Sequence, residues 1–193
     1  PLDGAASGRV AVRHGPGRLV LTASHQPGVL VEGAFGGGVT RDVRREAGRV
    51  EVRLAPPRRA VGRGRALDWT VALGRRTALA VELELDSSRG ELDLSDCRAT
   101  DLALRARGSD VDLRLPGAGD THARVEARAG VLRVRVPDRV AARITLRGRP
   151  GQVRVDPVRF RARDDRHESP DYEHASRRVD LELDVDGTDV EVR

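Results

Sequence analysis

The feature that most constrains this chain is a short-range alternation of apolar and charged residues. It appears as Leu83-Glu84-Leu85, Leu92-Asp93-Leu94, Leu102-Ala103-Leu104, Val111-Asp112-Leu113-Arg114-Leu115, Leu132-Arg133-Val134-Arg135-Val136, Val153-Arg154-Val155 and Leu181-Glu182-Leu183-Asp184-Val185. A period of two sends one side chain into a core and the next into water, as on a half-buried strand. The bursts return roughly every twenty residues. No stretch sustains apolar residues at i, i+3 and i+4, so almost no helix is predicted. A repeat this short cannot cover its own apolar face and must stack on its neighbours. The fold class predicted is therefore all-β: a single-stacked β-solenoid with two facing sheets.

The spacing lays out a ladder. One strand per coil runs through Val81, Leu102, Val125 and Ile144, and another through Leu92, Val111, Leu132 and Val153. About seven coils at ~4.8 Å per strand make a stack on the order of 35 Å long. Glycine and proline punctuate it at Ser88-Arg89-Gly90, Gly108-Ser109-Asp110, Ala129-Gly130, Leu115-Pro116 and Val136-Pro137. Residues 1–193 are read as one domain, with irregular coils in 1–66, regular coils in 67–193 and a loop inserted at 161–178. Ala55 to Ala66, with Pro56-Pro57, reads as an exposed loop. The closing acids Asp184, Asp186, Asp189 and Glu191 read as a guard against end-to-end stacking. A chain starting at Pro1 reads as a fragment or a processed product.

Composition narrows the function classes. All 35 basic residues are arginine, 30 acids are interspersed among them, and the net charge is +5. Phosphate-backbone binding needs clustered positive charge and, on single strands, stacking aromatics, so no nucleic-acid partner is expected. The outward row Glu91, Asp93, Asp110, Asp112, Arg114, Arg133, Arg135, Arg154 and Asp156 reads as cross-strand charge pairing that supports register. Cys97 is alone, which excludes an intramolecular disulfide. No run reaches the ~18 apolar residues of a membrane helix.

Catalytic signatures are absent. Asp120 and His122 lie in one loop and Ser95-Asp96-Cys97 in another, without a nucleophile elbow, and Gly36-Gly37-Gly38 lacks the Lys-Ser or Lys-Thr of a phosphate loop. No catalytic residue, cofactor or enzyme activity is expected. The segment Asp164 to His174 holds His167, His174, Asp164 and Asp171, which are weak metal candidates. Their spacing fits no ligand motif, and the segment reads as a solvated loop that Tyr172 anchors to the stack. Trp69 begins an alternating strand and reads as core or edge packing.

From Trp69 onward the chain resembles a bacterial family. The resemblance is carried by Trp69-Thr70-Val71-Ala72-Leu73, Leu92-Asp93-Leu94-Ser95-Asp96-Cys97, Asp101-Leu102, Gly108-Ser109-Asp110-Val111 and Leu113-Arg114-Leu115-Pro116. It continues through Gly130-Val131-Leu132-Arg133-Val134-Arg135-Val136-Pro137, Tyr172 and the closing strands 179–185 and 190–192. These are similar to the C-terminal domain of cell-wall-active-antibiotics response proteins of the LiaF type and to related toast-rack and adhesin-like β-solenoids. The resemblance implies a non-catalytic protein-interaction or sensing module of a cell-envelope stress regulator in a two-component system. Its implied partner is a membrane sensor kinase, reached on the cytoplasmic face by a soluble domain of a membrane-anchored protein. The membrane itself would be met only through helices outside this chain. Arg166, Tyr172, Arg133 and Arg135 are the candidate contact residues. The alternative is a surface or adhesin-like structural domain that self-associates as a homo-oligomer.

Overall fold

A computed structural model describes residues 5–46, 48–58 and 67–193. The stretch 59–66, part of the loop expected after Ala55, lies outside the described residues. Alternation becomes strand almost throughout. The first eight strands are β1 (Ser7–His14), β2 (Gly17–Ser24), β3 (Val31–Phe35), β4 (Thr40–Glu46), β5 (Arg49–Ala55), β6 (Trp69–Gly74), β7 (Ala78–Asp86) and β8 (Ser88–Asp93). Then follow β9 (Ala99–Arg114), β10 (Asp120–Arg135), β11 (Ala141–Arg149), β12 (Val153–Val155), β13 (Arg161–Arg163), β14 (Arg166–Glu168) and β15 (Arg178–Val192). Among the described residues the only helical element is a 3₁₀ turn at Tyr172–His174.

All these strands join in one continuous sheet that folds over into two walls. Wall A has the order β13-β14-β11-β15-β10-β9-β7-β1-β5-β4. Wall B runs β3-β6-β2-β8 and continues into the second halves of β9, β10 and β15, ending at β12. The long strands β9, β10 and β15 cross the fold line. Each turns there through a left-handed residue, Gly108 (φ 52°), Ala129 (φ 55°) and Gly187 (φ 58°), with Ser87 (φ 54°) doing the same between β7 and β8. Gly130 follows Ala129 with φ 111°, and a Cβ there would lie 2.2 Å from the Ser109 carbonyl oxygen. No larger residue fits.

After wall B, residues 115–119 carry the chain back to the start of wall A. A return that short, at ~3.5 Å per residue, holds the two walls within packing distance of each other. β9 and β10 then match at the same offset on both sides of the fold line, His122 beside Asp101 and Leu132 beside Val111. Inward residues form continuous rows. Across wall A, Val52, Val10, Val81, Leu102, Ala123, Leu181 and Ile144 are neighbours, none more than 4% exposed. Leu21, Leu92, Leu113, Val134 and Val192 do the same across wall B. Both rows belong to one buried cluster.

Stacking and two-walled architecture agree with the sequence-based expectation, but the strand order does not. Val81 faces Leu102 as expected, yet the next residue in that row is Ala123, two positions before Val125. Leu92 faces Leu113, not Val111, while Val111 does face Leu132. Ile144 and Val153 do not follow β10, because β15 lies between β10 and both β11 and β12. Likewise β1 sits between β5 and β7, and β2 between β6 and β8.

Outward charges explain the β15 placement. Its outward side chains Asp180, Glu182, Asp184 and Asp186 lie between the arginines of β10 and those of β11. Ion pairs follow: Arg124–Glu182 at 3.4 Å, Arg128–Asp184 at 3.0 Å and Arg149–Asp186 at 3.7 Å. Asp184 and Asp186 therefore pair inside wall A and do not guard an end, whereas Asp189 and Glu191 lie beside β12, the outer strand of wall B.

Candidate functional site

The segment 161–178 is not a solvated loop between coils. β13 and β14 form an antiparallel hairpin that pairs with β11 and closes that end of wall A. Ser169 N–H donates to the Ala142 carbonyl and Ala142 N–H to the Ser169 hydroxyl, both at 2.9 Å. Arg143 ties the hairpin down. Its Nε donates to Glu168 at 2.8 Å, Nη2 reaches Glu173 at 2.5 Å, and the guanidinium lies 4.2 Å over the Tyr172 ring. The Arg143 hydrogen bond outweighs burial and holds the Glu168 carboxyl below its ordinary range. Burial, reinforced by the Asp180 charge, raises the Tyr172 phenol. Tyr172 is thus buried packing for the cap, while Arg166 is half-buried 3.5 Å from Glu168.

The metal candidates are dispersed. Asp164 occupies a left-handed turn position (φ 48°), His167 pairs with Ile144 on β14, and His174 N–H donates to the Asp171 carbonyl. Among the described residues no three His, Cys, Asp or Glu side chains converge on a point that could hold a metal ion.

Nor do the nucleophile candidates come together. Cys97 is 1% exposed, and burial pushes its thiol up to about 12. Asp93 takes both the N–H and the hydroxyl of Ser95, and Asp120 is paired with Arg178 at 2.9 Å. His122 points its Nε2 toward Glu182 at 3.9 Å without a hydrogen bond. Trp69 is 1% exposed, donates to the Gly36 carbonyl at 3.0 Å and packs edge-on against Phe35 and His14. His14, buried at the fold line, lies 2.7 Å from the Leu67 carbonyl and 2.8 Å from the Ser88 hydroxyl. That carbonyl can only accept, so Nε2 carries the proton, and burial keeps the imidazole below its ordinary value.

What the walls expose is ordered charge. On wall A, Arg105 sits between Glu84 (3.5 Å) and Glu126 (3.4 Å). On wall B, Arg133 reaches Asp112 at 3.4 Å, and Arg18 grips Glu91 through two hydrogen bonds. Arg135 differs, since no side chain among the described residues holds it. It stands next to Arg114 on β9 and, across the other ladder, next to Arg193. Two grooves share these three arginines. One, of about 380 Å³, runs over wall B past Val20, Thr22, Glu91 and Asp112. The other, of about 510 Å³, passes the strand ends at Ser95, Pro137, Asp138, Asp156 and Arg159. Arg114 and Arg135, one repeat apart, were legible as a pair from their spacing. Arg159 lies in a stretch without a repeat, and Arg193 joins them only through the displaced β15.

The comparisons with known proteins agree with this architecture. None of the curated proteins matches the sequence. Among solved structures, the chain is similar to one from Clostridium sporogenes described as a "putative cell adhesion protein". The TM-score is 0.85 at 15% identity, over 98% of this chain and 93% of that one, a likeness of fold. Residues 1–137 match the family described as the N-terminal domain of toast_rack, DUF2154. With most of its length inside that match and a two-walled parallel stack to go with it, the chain belongs to the toast-rack family.

Proposed function

We propose that this domain is a non-catalytic interaction module of a bacterial cell-envelope stress regulator, and that its wall faces dock a membrane sensor kinase on the cytoplasmic side. The observation that carries this reading is the closure of the stack. Antiparallel strands end wall A on both sides, through β4 and the β13–β14 hairpin, and β3 ends wall B on one side. A reversed, charged strand is a poor template for another copy. The broad faces carrying Arg133, Arg135 and Arg166 are left for contact. No described helix is long and apolar enough to cross a membrane, so the reading assigns the kinase contact to this folded domain and the anchor to other segments.

The test is capture from membranes of the source bacterium, using the wild type, Arg133→Glu and Arg166→Glu as bait. Recovery of a sensor kinase that Arg133→Glu abolishes and Arg166→Glu leaves intact puts the contact on wall B. Failure of every bait to recover a kinase overturns the reading.

One observation favours a second reading, a self-associating surface domain. Among the described residues β12 pairs on one side only, with Val153 38% exposed and Val158 87% exposed beside it. Sedimentation velocity across a wide concentration range separates the two. Self-association that Val158→Lys removes supports the surface domain, and a monomer throughout rejects it.

A further inference from the structure

Arg114, Arg135 and Arg193 occupy consecutive positions in one lateral row of wall B. Asp93 flanks the row on the β8 side and Asp156 on the β12 side. Like charges directly across a ladder repel, and a guanidinium cannot relieve the repulsion by losing its proton. Elsewhere on the walls the same kind of row is neutralised, as Arg105 is by Glu84 and Glu126. Here the neutralisation is incomplete. Asp93 lies 3.3 Å from Arg114 but also accepts two hydrogen bonds from Ser95, and Glu191 is 3.7 Å from Arg193. Arg135, in the centre, has neither.

A fourth arginine is held in place at the same groove. Arg159 donates to the Val136 carbonyl at 2.7 Å and the Pro137 carbonyl at 3.1 Å, and stacks 5.0 Å over Phe160. Its side chain is 25% exposed, and its nearest acid, Asp138, is 3.9 Å away. Four guanidinium groups therefore line one groove of about 510 Å³ against two carboxylates, Asp138 and Asp156.

We propose that this groove is a binding site for a compact phosphate-bearing anion, with Arg135 at its centre, Arg114 and Arg193 on either side and Arg159 as a pre-set fourth donor. Guanidinium forks match phosphate oxygens in pairs. Neighbouring strands at ~4.8 Å spread the three row arginines over about 10 Å, the reach of one or two phosphate groups. The flanking acids oppose anything longer, so an extended polyanion is a poor occupant. The site stands whether or not the walls engage a kinase.

Inorganic pyrophosphate is the probe, titrated calorimetrically at constant ionic strength. Arg135 points outward and makes no hydrogen bond or ion pair among the described residues, so Arg135→Gln folds normally, which an unchanged circular dichroism spectrum verifies. Saturable binding is expected, weakened roughly tenfold or more by Arg135→Gln, because charge-assisted hydrogen bonds are lost. Arg105→Gln, on the other wall, should bind as the wild type does. Vesicles of phosphatidylglycerol and of phosphatidylcholine identify the source. Binding of pyrophosphate and of phosphatidylglycerol, both lost in Arg135→Gln, keeps the site and makes a lipid headgroup one of its ligands. Binding of pyrophosphate alone assigns a soluble ligand. No pyrophosphate binding, equal binding by Arg135→Gln, or binding only to vesicles overturns the proposal.

Discussion

In the middle of the stack β7, β9, β10 and β15 run parallel, turn through left-handed residues and share continuous apolar rows. At three of its ends the direction reverses, the exception being the parallel strand β12 at the far side of wall B. β4 meets β5, β3 meets β6, and the β13–β14 hairpin meets β11, all antiparallel. The end strands have little inward face: every residue of β13 is exposed, and in β4 only Val43 is partly covered. A parallel repeat contains instructions for continuing, since each coil presents the edge that the next one needs. Stopping takes a segment that breaks the period, reverses the backbone and shows charge to water. The toast-rack domain is a repetitive middle held between non-repetitive ends.

The sharpest way to test that contrast is through two glycines. In the middle, a Cβ on Gly130 would collide with the Ser109 carbonyl of the adjacent strand, and backbone cannot move aside without breaking the ladder. Gly130→Ala should cost about 3 kcal/mol or more in urea unfolding. At the β4–β5 cap, Gly48 also has a positive φ, 76°, but a Cβ there meets nothing within 4 Å. Gly48→Ala should cost only about 1 kcal/mol, the strain of a left-handed alanine. Equal losses would mean that turn conformation, not strand proximity, decides both.

Much of the middle is legible in the sequence, and most of the ends are not. Alternation names inward and outward residues, so Leu102, Val111, Leu132 and Leu181 are readable as core. It does not name neighbours, because every strand of the stack offers the same apolar stripe and a slip of two residues keeps the pattern. That is how Val125 displaces Ala123 in a reading by spacing alone. The outward charges held the missing information: the acids of β15 fit between the arginines of β10 and β11. The β13–β14 hairpin has too few inward residues to show a period, so its sequence looks like a loop. Of the arginines at the groove, Arg135 is the one that sequence alone offers as a candidate contact, whereas Arg159 has no pattern to reveal it.

The β13–β14 cap can be loosened without touching the middle. Glu168, with a side chain 6% exposed, receives Arg143 at 2.8 Å and lies near Arg163 and Arg166. Glu168→Gln removes the charge, keeps the shape and should cost about 2 kcal/mol at neutral pH. The pH dependence follows from the lowered carboxyl. The ordinary glutamate value is 4.5, so the stabilisation is complete above about that pH. It is lost as pH falls through the lower value of the folded state. Thermal melts of wild type and Glu168→Gln should therefore converge in acid, below the ordinary glutamate value. Hydrogen exchange should show the loss in β11 and β14 while β9 and β10 stay protected. A uniform loss of protection would mean that cap and middle unfold as one unit.

Within the middle, charge acts more weakly than backbone geometry, and two arginines at equivalent outward positions show its sign. Arg105 lies between Glu84 and Glu126, with a side chain 51% exposed. Exposed pairs of this kind contribute little after side-chain entropy and screening, so Arg105→Ala should cost about 0.5 kcal/mol, less in high salt. Arg135 lies between two arginines. Arg135→Ala removes two like-charge contacts and should stabilise by a few tenths of a kcal/mol in low salt, the difference vanishing as salt is raised. Unfolding curves at two salt concentrations measure both. If Arg135→Ala is destabilising at low salt, the three-arginine row is not repulsive in the free protein, and its pressure to take up an anion disappears with it.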